Sequence, residues 1–218
     1  MPRTARASVG GLCYHVINRG NARAPVFHND RDYRSFVNQI GKACDRLPLE
    51  VLAGCLMPNH FHLVLKPHED GDLSRWMHWL MTAHVRRYQW HYGSSGHIWQ
   101  GRFKAFPIQR NNHLLQVMRY VERNALRANL VCQAEDWPWG SLAWRLSGNP
   151  PEFLALPPTA LPTEWVAMVN VAESAPELEA LRRSVNRGIP YGDGAWVSRT
   201  ARDLGLESSL RKPGRPPG

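Results

Sequence analysis

Two histidines separated by one residue suggest the chemistry of this sequence. They are His60 and His62, in the string MPNHFHLVL. On a strand, alternate side chains share a face, so both imidazoles point the same way, roughly 6.5–7 Å apart along the chain, with Phe61 opposite. Two imidazoles so placed can converge on one metal ion. The plainer alternative is that each ring satisfies local hydrogen bonds. A second pair is Tyr120 and Asn124, four apart, which a helix stacks on one face. A phenol attacks phosphorus once a base or a metal helps remove its proton. Asn124 can offer an amide oxygen to the ion the histidines hold. Two nitrogens, an amide oxygen, water and a phosphate oxygen would suit Mg²⁺ or Mn²⁺. Here the alternative is a tyrosine packed in a helix.

The elements that must carry these residues follow from patterning. Residues 12–19 (LCYHVINR) read as a first strand and Gly20 to Pro25 as a loop. Asp30 is placed to cap a helix with Tyr33, Phe36, Val37 and Ile40 at helical spacing. The apolar runs 49–56 and 61–66, split by Met57-Pro58-Asn59, predict a β-hairpin. Asp72 is placed to cap a helix reaching Tyr92, with Leu73, Trp76, Leu80 and Ala83 on one stripe. Residues 97–110 supply a loop and a fourth strand. Asn111 or Asn112 then caps a helix with Leu114, Met118, Val121 and Ala125 on one face, leaving Tyr120 off that stripe. The order β-α-β-β-α-β predicts an α+β, ferredoxin-like antiparallel sheet, with helices expected on one face. The domain division is 1–149 for this unit and 150–218 for a Pro-rich, partly helical extension with a basic tail.

Composition narrows the partners. The chain has 218 residues, 27 Lys and Arg against 18 Asp and Glu, and a formal net charge of +9. That excess favours polyanions, because cationic side chains release counterions from nucleic acid. No apolar run is long enough to cross a bilayer, and no signal-peptide core follows the basic N-terminus, so a cytosolic protein is expected. Cys13, Cys44, Cys55 and Cys132 have no zinc-like spacing and read as reduced, mostly buried thiols.

Together these motifs resemble the HUH single-tyrosine transposases, in particular the REP-associated tyrosine transposases. The resemblance is carried by MPNHFHLVL, GHIWQGRFKAF, MRYVERNALRANLV, INRGNARAPVF and WPWGSLAW, across about residues 10–145. It implies metal-binding His60 and His62, a nucleophilic Tyr120, and Asn124 in the position of the polar residue that completes the metal site. It implies cleavage of single-stranded DNA beside hairpin-forming palindromes, through a 5′-phosphotyrosine and a free 3′-hydroxyl. The small relatives often lack the extension and exchange the tyrosine helix within dimers, so either a monomer or a homodimer is compatible with this chain.

Cationic side chains expected to contact DNA are Arg19, Arg23, Arg86, Arg87, Arg102 and Lys104, with Arg211, Lys212 and Arg215 in the tail. The tail RKPGRPPG resembles a minor-groove AT-hook core, or is a plain disordered tail. Trp99 is a candidate for stacking on unpaired bases, and Trp76 and Trp79 for the core. Two other readings compete with the nicking enzyme. One is a domesticated binder of hairpin DNA that no longer cuts. The other is a replication or mobilisation nickase, against which stands the lack of a Gly-rich phosphate loop.

Overall fold

The computed structural model describes residues 8–211. Its four strands are β1 (Cys13–Arg19), β2 (Leu49–Met57), β3 (His60–Pro67) and β4 (Lys104–Ile108). They form one antiparallel sheet in the order β2-β3-β1-β4. The helix α1 (Asp30–Arg46) lies between β1 and β2, and α2 (Asp72–Tyr92) between β3 and β4. After β4 come α3 (Asn112–Glu122) and the short α4 (Asn124–Arg127). The ferredoxin-like α+β order expected from the sequence is the one observed.

Local chemistry sets the boundaries. The side chain of Asn29, not Asp30, caps α1 by accepting from the Arg31 amide. Gly71 enters α2 at φ 86, a left-handed conformation that glycine adopts without a Cβ penalty. Asp72 sits just inside the helix, its carboxylate accepting the Glu69 amide and pairing with Arg75. Asn111 caps α3 by accepting from the His113 amide.

Helices cover both faces of the sheet, whereas one face was expected. Opposed residues on neighbouring strands share a face. One face therefore carries His15, Ile17 and Arg19 with Val64, His62 and His60, and with Cys55 and Met57. On this side Leu114, Met118, Val121 and Ala125 of the α3–α4 pair bury into a core with Phe106 and Ile108. The other face presents Tyr14, Val16, Phe61, Leu63 and Leu65 to α1 and α2, around Phe36, Ile40, Trp76 and Leu80.

The residues after 149 close over the α3 side. The helix α5 (Ser141–Leu146) precedes them, and α6 (Trp165–Asn170), α7 (Ala175–Arg187), α8 (Gly194–Asp203) and α9 (Glu207–Leu210) follow in order. Trp165, Val169, Leu181 and Tyr191 bury in the same core as α3. Tyr191 pairs with the edge strand β4, its amide donating to the Pro107 carbonyl and its carbonyl accepting from Gln109. The extension is partly helical, as expected. No helix of the described residues is long and apolar enough to cross a membrane. Cys13 and Cys55 are buried and Cys44 half-buried, and burial pushes the first two up to about 11 and 12. Cys132 is exposed, so the four thiols are mostly but not all withdrawn from solvent, as expected.

Candidate active site

His60 and His62 lie on β3 with ring centroids 5.1 Å apart. Each ring is oriented through its Nδ1. For His60, Nδ1–H donates to the Asn59 side-chain oxygen at 2.6 Å. The Asn59 amide is itself fixed, because its Nδ2 donates to the Arg23 carbonyl at 2.9 Å. That carbonyl belongs to the turn Asn21–Arg23, where Ala22 and Arg23 have φ of 50 and 63. For His62, Nδ1 lies 2.7 Å from Nε2 of His15 on β1. These contacts leave Nε2 of both β3 histidines to coordinate an ion. Burial lowers His60 to about 4 and His62 well below its usual value, with Arg19 and Arg127 adding to the effect. Both rings are therefore neutral near pH 7, as a metal ligand must be.

Tyr120 reaches the same face from α3. Although off the apolar stripe of its helix, it is buried, and its ring packs 5.9 Å from that of His62 and 6.0 Å from that of His15. The helix is interrupted at Arg123, yet backbone bonding continues from Arg123 to Arg119 and from Arg127 to Arg123. Asn124 therefore stays one turn from Tyr120. Its side-chain oxygen accepts from Arg127 Nη2, and its buried Nδ2 has no partner. The Arg127 guanidinium stacks on the Tyr120 ring, 4.0 Å from the centroid.

The donor set fits a divalent ion in two respects. The free imidazole positions are Nε2 atoms with oriented Nδ1 partners, the usual outer-shell arrangement of ligand histidines. An amide oxygen stands one helical turn from the phenol. Among the described residues no cluster of three or more His, Cys, Asp or Glu side chains is arranged for a metal. A site here rests on two imidazoles and neutral oxygens.

The cationic residues divide. Arg19, Arg102 and Lys104 line one hollow of about 220 Å³ beside the β1 end, closed by Asn186 of α7. Arg86 and Arg102 line a larger cleft of about 750 Å³ between α2 and the 96–103 loop. Arg23 is exposed on its turn. Arg87 is committed elsewhere, to the buried Asp32 at 3.1 Å. Arg211 is exposed at the end of the described residues, and Lys212 and Arg215 lie outside them. Trp76 is core as expected, and Trp79 is only partly buried. Trp99 is packed against Phe61 and His84 and not offered to solvent, whereas Trp90 is 83% exposed. His15 and Asn59 were missed in the sequence. The signal for His15 was its place on a strand facing the same side as the β3 pair.

The sheet thus carries two histidines on one face, with a tyrosine from α3 packed over them. Residues 8–124 match the family described as Transposase IS200 like, and the chain belongs to that family. A curated protein of Haemophilus influenzae named as a REP-associated tyrosine transposase is 28% identical over 144 residues, covering 61% of this chain and 80% of that one. The fold is similar to a solved REP-associated tyrosine transposase bound to a REP hairpin. The TM-score is 0.57 at 22% identity, over 71% of this chain and 92% of that chain.

Proposed function

We propose that this transposase cuts and rejoins single-stranded DNA beside hairpin-forming repeats, with Tyr120 as nucleophile. The observation that carries the reading is the burial of Tyr120 against His62, a ring whose Nδ1 is already bound and whose Nε2 is free. The hairpin substrate is suggested by the relative solved with a REP hairpin. Mg²⁺, or Mn²⁺ in its place, would be held by His60, His62 and Asn124. The bound ion would polarise the scissile phosphate and screen its charge.

The chain's own groups do the rest. Asn59 and His15 hold the two imidazoles in orientation. Packing of α3 on the sheet holds the phenol at the site. Tyr120 Oη attacks phosphorus in line: the Oη–P bond forms, the P–O3′ bond breaks, and the phenol proton passes to solvent while the departing 3′ oxygen takes one up. The 5′ end stays on the tyrosine. A 3′-hydroxyl attacking that phosphotyrosine reverses the exchange and joins a strand, with no nucleotide cofactor. Arg19, Arg102 and Lys104 supply phosphate contacts next to the site.

The test is a labelled hairpin oligonucleotide with a single-stranded flank, incubated with protein and Mg²⁺ or Mn²⁺. A denaturation-resistant adduct is expected for the wild type. Tyr120→Phe keeps the ring and its packing, so it should bind the hairpin normally and form no adduct. An adduct on the phenylalanine variant moves the nucleophile elsewhere. Binding without any adduct by the wild type makes the chain a non-cutting binder.

A further inference from the structure

We propose that Arg127 is an internal cation that occupies the oxygen of Asn124 until a DNA phosphate draws it away, so that metal loading and substrate binding are coupled. The inference rests on the metal reading above and extends it to a residue with no role there. Arg127 lies three residues after Asn124 and shares its helix face. Its Nη2 donates to the Asn124 side-chain oxygen. The Asn124 Nδ2 is buried without a partner, so the turn of this amide is set by the arginine alone.

The guanidinium has other holds. Nη1 reaches the Glu173 carboxylate at 3.3 Å and the Tyr120 carbonyl at 3.4 Å. Glu173 is shared with Arg123 at 4.0 Å, so two guanidinium groups meet one buried carboxylate. One positive charge is left over at the Tyr120 ring face. An ion with two positive charges on the Asn124 oxygen would stand next to that guanidinium, and like charges at such range repel strongly in a partly buried site. A phosphate oxygen offers the guanidinium a planar, two-pronged partner and supplies the negative charge that lets both cations stay. Coupling of this kind is reciprocal: phosphate strengthens metal binding, and metal strengthens phosphate binding.

The experiment measures Mn²⁺ affinity on the full chain by titration calorimetry, with and without a hairpin oligonucleotide. Without DNA, Arg127→Ala should bind Mn²⁺ at least about tenfold more tightly than wild type, roughly 1.4 kcal/mol. Because the single variant leaves Glu173 to Arg123 alone, the double variant Arg127→Ala/Glu173→Gln removes the carboxylate charge as well and should show the same gain. Asn124→Ala should abolish the gain, so that Asn124→Ala/Arg127→Ala binds no more tightly than Asn124→Ala. With the hairpin present, wild type should approach Arg127→Ala. If both arginine variants bind Mn²⁺ no better than wild type while His62→Ala weakens binding, the exchange is wrong and the metal site stands. If His62→Ala changes nothing, the metal reading has failed and the exchange falls with it.

Discussion

The two residues that orient the β3 histidines are uncharged near neutral pH and short in reach. His62 binds an ion through Nε2 only if its proton sits on Nδ1, which makes it the donor to His15 Nε2. The His15 proton then sits on its own Nδ1, an atom that is buried without a partner. His15→Leu removes the acceptor. It should weaken Mn²⁺ binding by about 10–100-fold while hairpin affinity in the absence of metal is unchanged. His15→Gln, which restores an acceptor oxygen, should recover part of the loss. Equal Mn²⁺ affinity in wild type and His15→Leu would show that the contact does not select the tautomer. At this scale the sequence was legible where spacing alone carries meaning. The alternation His60-Phe61-His62 fixed a shared face, and Tyr120 with Asn124 fixed another. His15 was legible only as a strand position, because its partner lies 47 residues away and strand order decides which residues meet.

The element that matters most is the tyrosine helix, and a buried carboxylate pins it. Glu122 accepts from Ser141 Oγ at 2.6 Å and from Trp165 Nε1 at 2.7 Å, and pairs with Arg145 at 3.5 Å. Ser141 in turn accepts from the Gly54 amide, so β2, α3, α5 and α6 meet in one chain of bonds. Glu122→Ala takes the counter-charge from Arg145, which keeps only carbonyl partners, and leaves two donors unpaired in the interior. It should cost about 3–5 kcal/mol in urea unfolding, with a slower adduct step because Tyr120 sits two residues away. A loss below 1 kcal/mol would mean that water takes over these donors. Segment boundaries were readable from turn residues and apolar spacing, the Asn111 cap among them, whereas the α1 cap fell on Asn29 and not on the expected Asp30. The placement of helices on both sides of the sheet was not read, although a hint was present. LEVLAGCL is apolar on both alternating faces, the mark of a strand covered twice.

At the scale of the whole molecule, four histidines are held below their ordinary value. His15 and His84 fall to about 3 and His60 to about 4, with His62 also well down, burial being the first cause in every case. Unfolding restores a value near 6.5, so below that pH the unfolded chain binds more protons than the folded one. Stability is full above about pH 6.5 and is lost as pH falls towards the folded values. Each histidine contributes about 1.4 kcal/mol per pH unit in that window. Urea midpoints should therefore drop steeply between pH 7 and pH 5, and His84→Met should flatten the slope. A midpoint unchanged over that range would mean that the rings protonate inside the fold. The extension belongs to this scale as well. Its prolines marked a change of composition, but nothing local announced that Trp165 and Tyr191 complete the core beneath the tyrosine helix.

The clasp around that helix has a consequence for stoichiometry. Arg119 and Arg123 both donate to the Val171 carbonyl, and Trp165 reaches Glu122 from the same extension. A copy lending this helix to a neighbour without the extension would have to give up these bonds. One tyrosine can hold one strand end at a time. In the proposed reaction, releasing a segment takes two cuts, and the second must come from another copy meeting the first on the DNA, or from the same copy after it has let go.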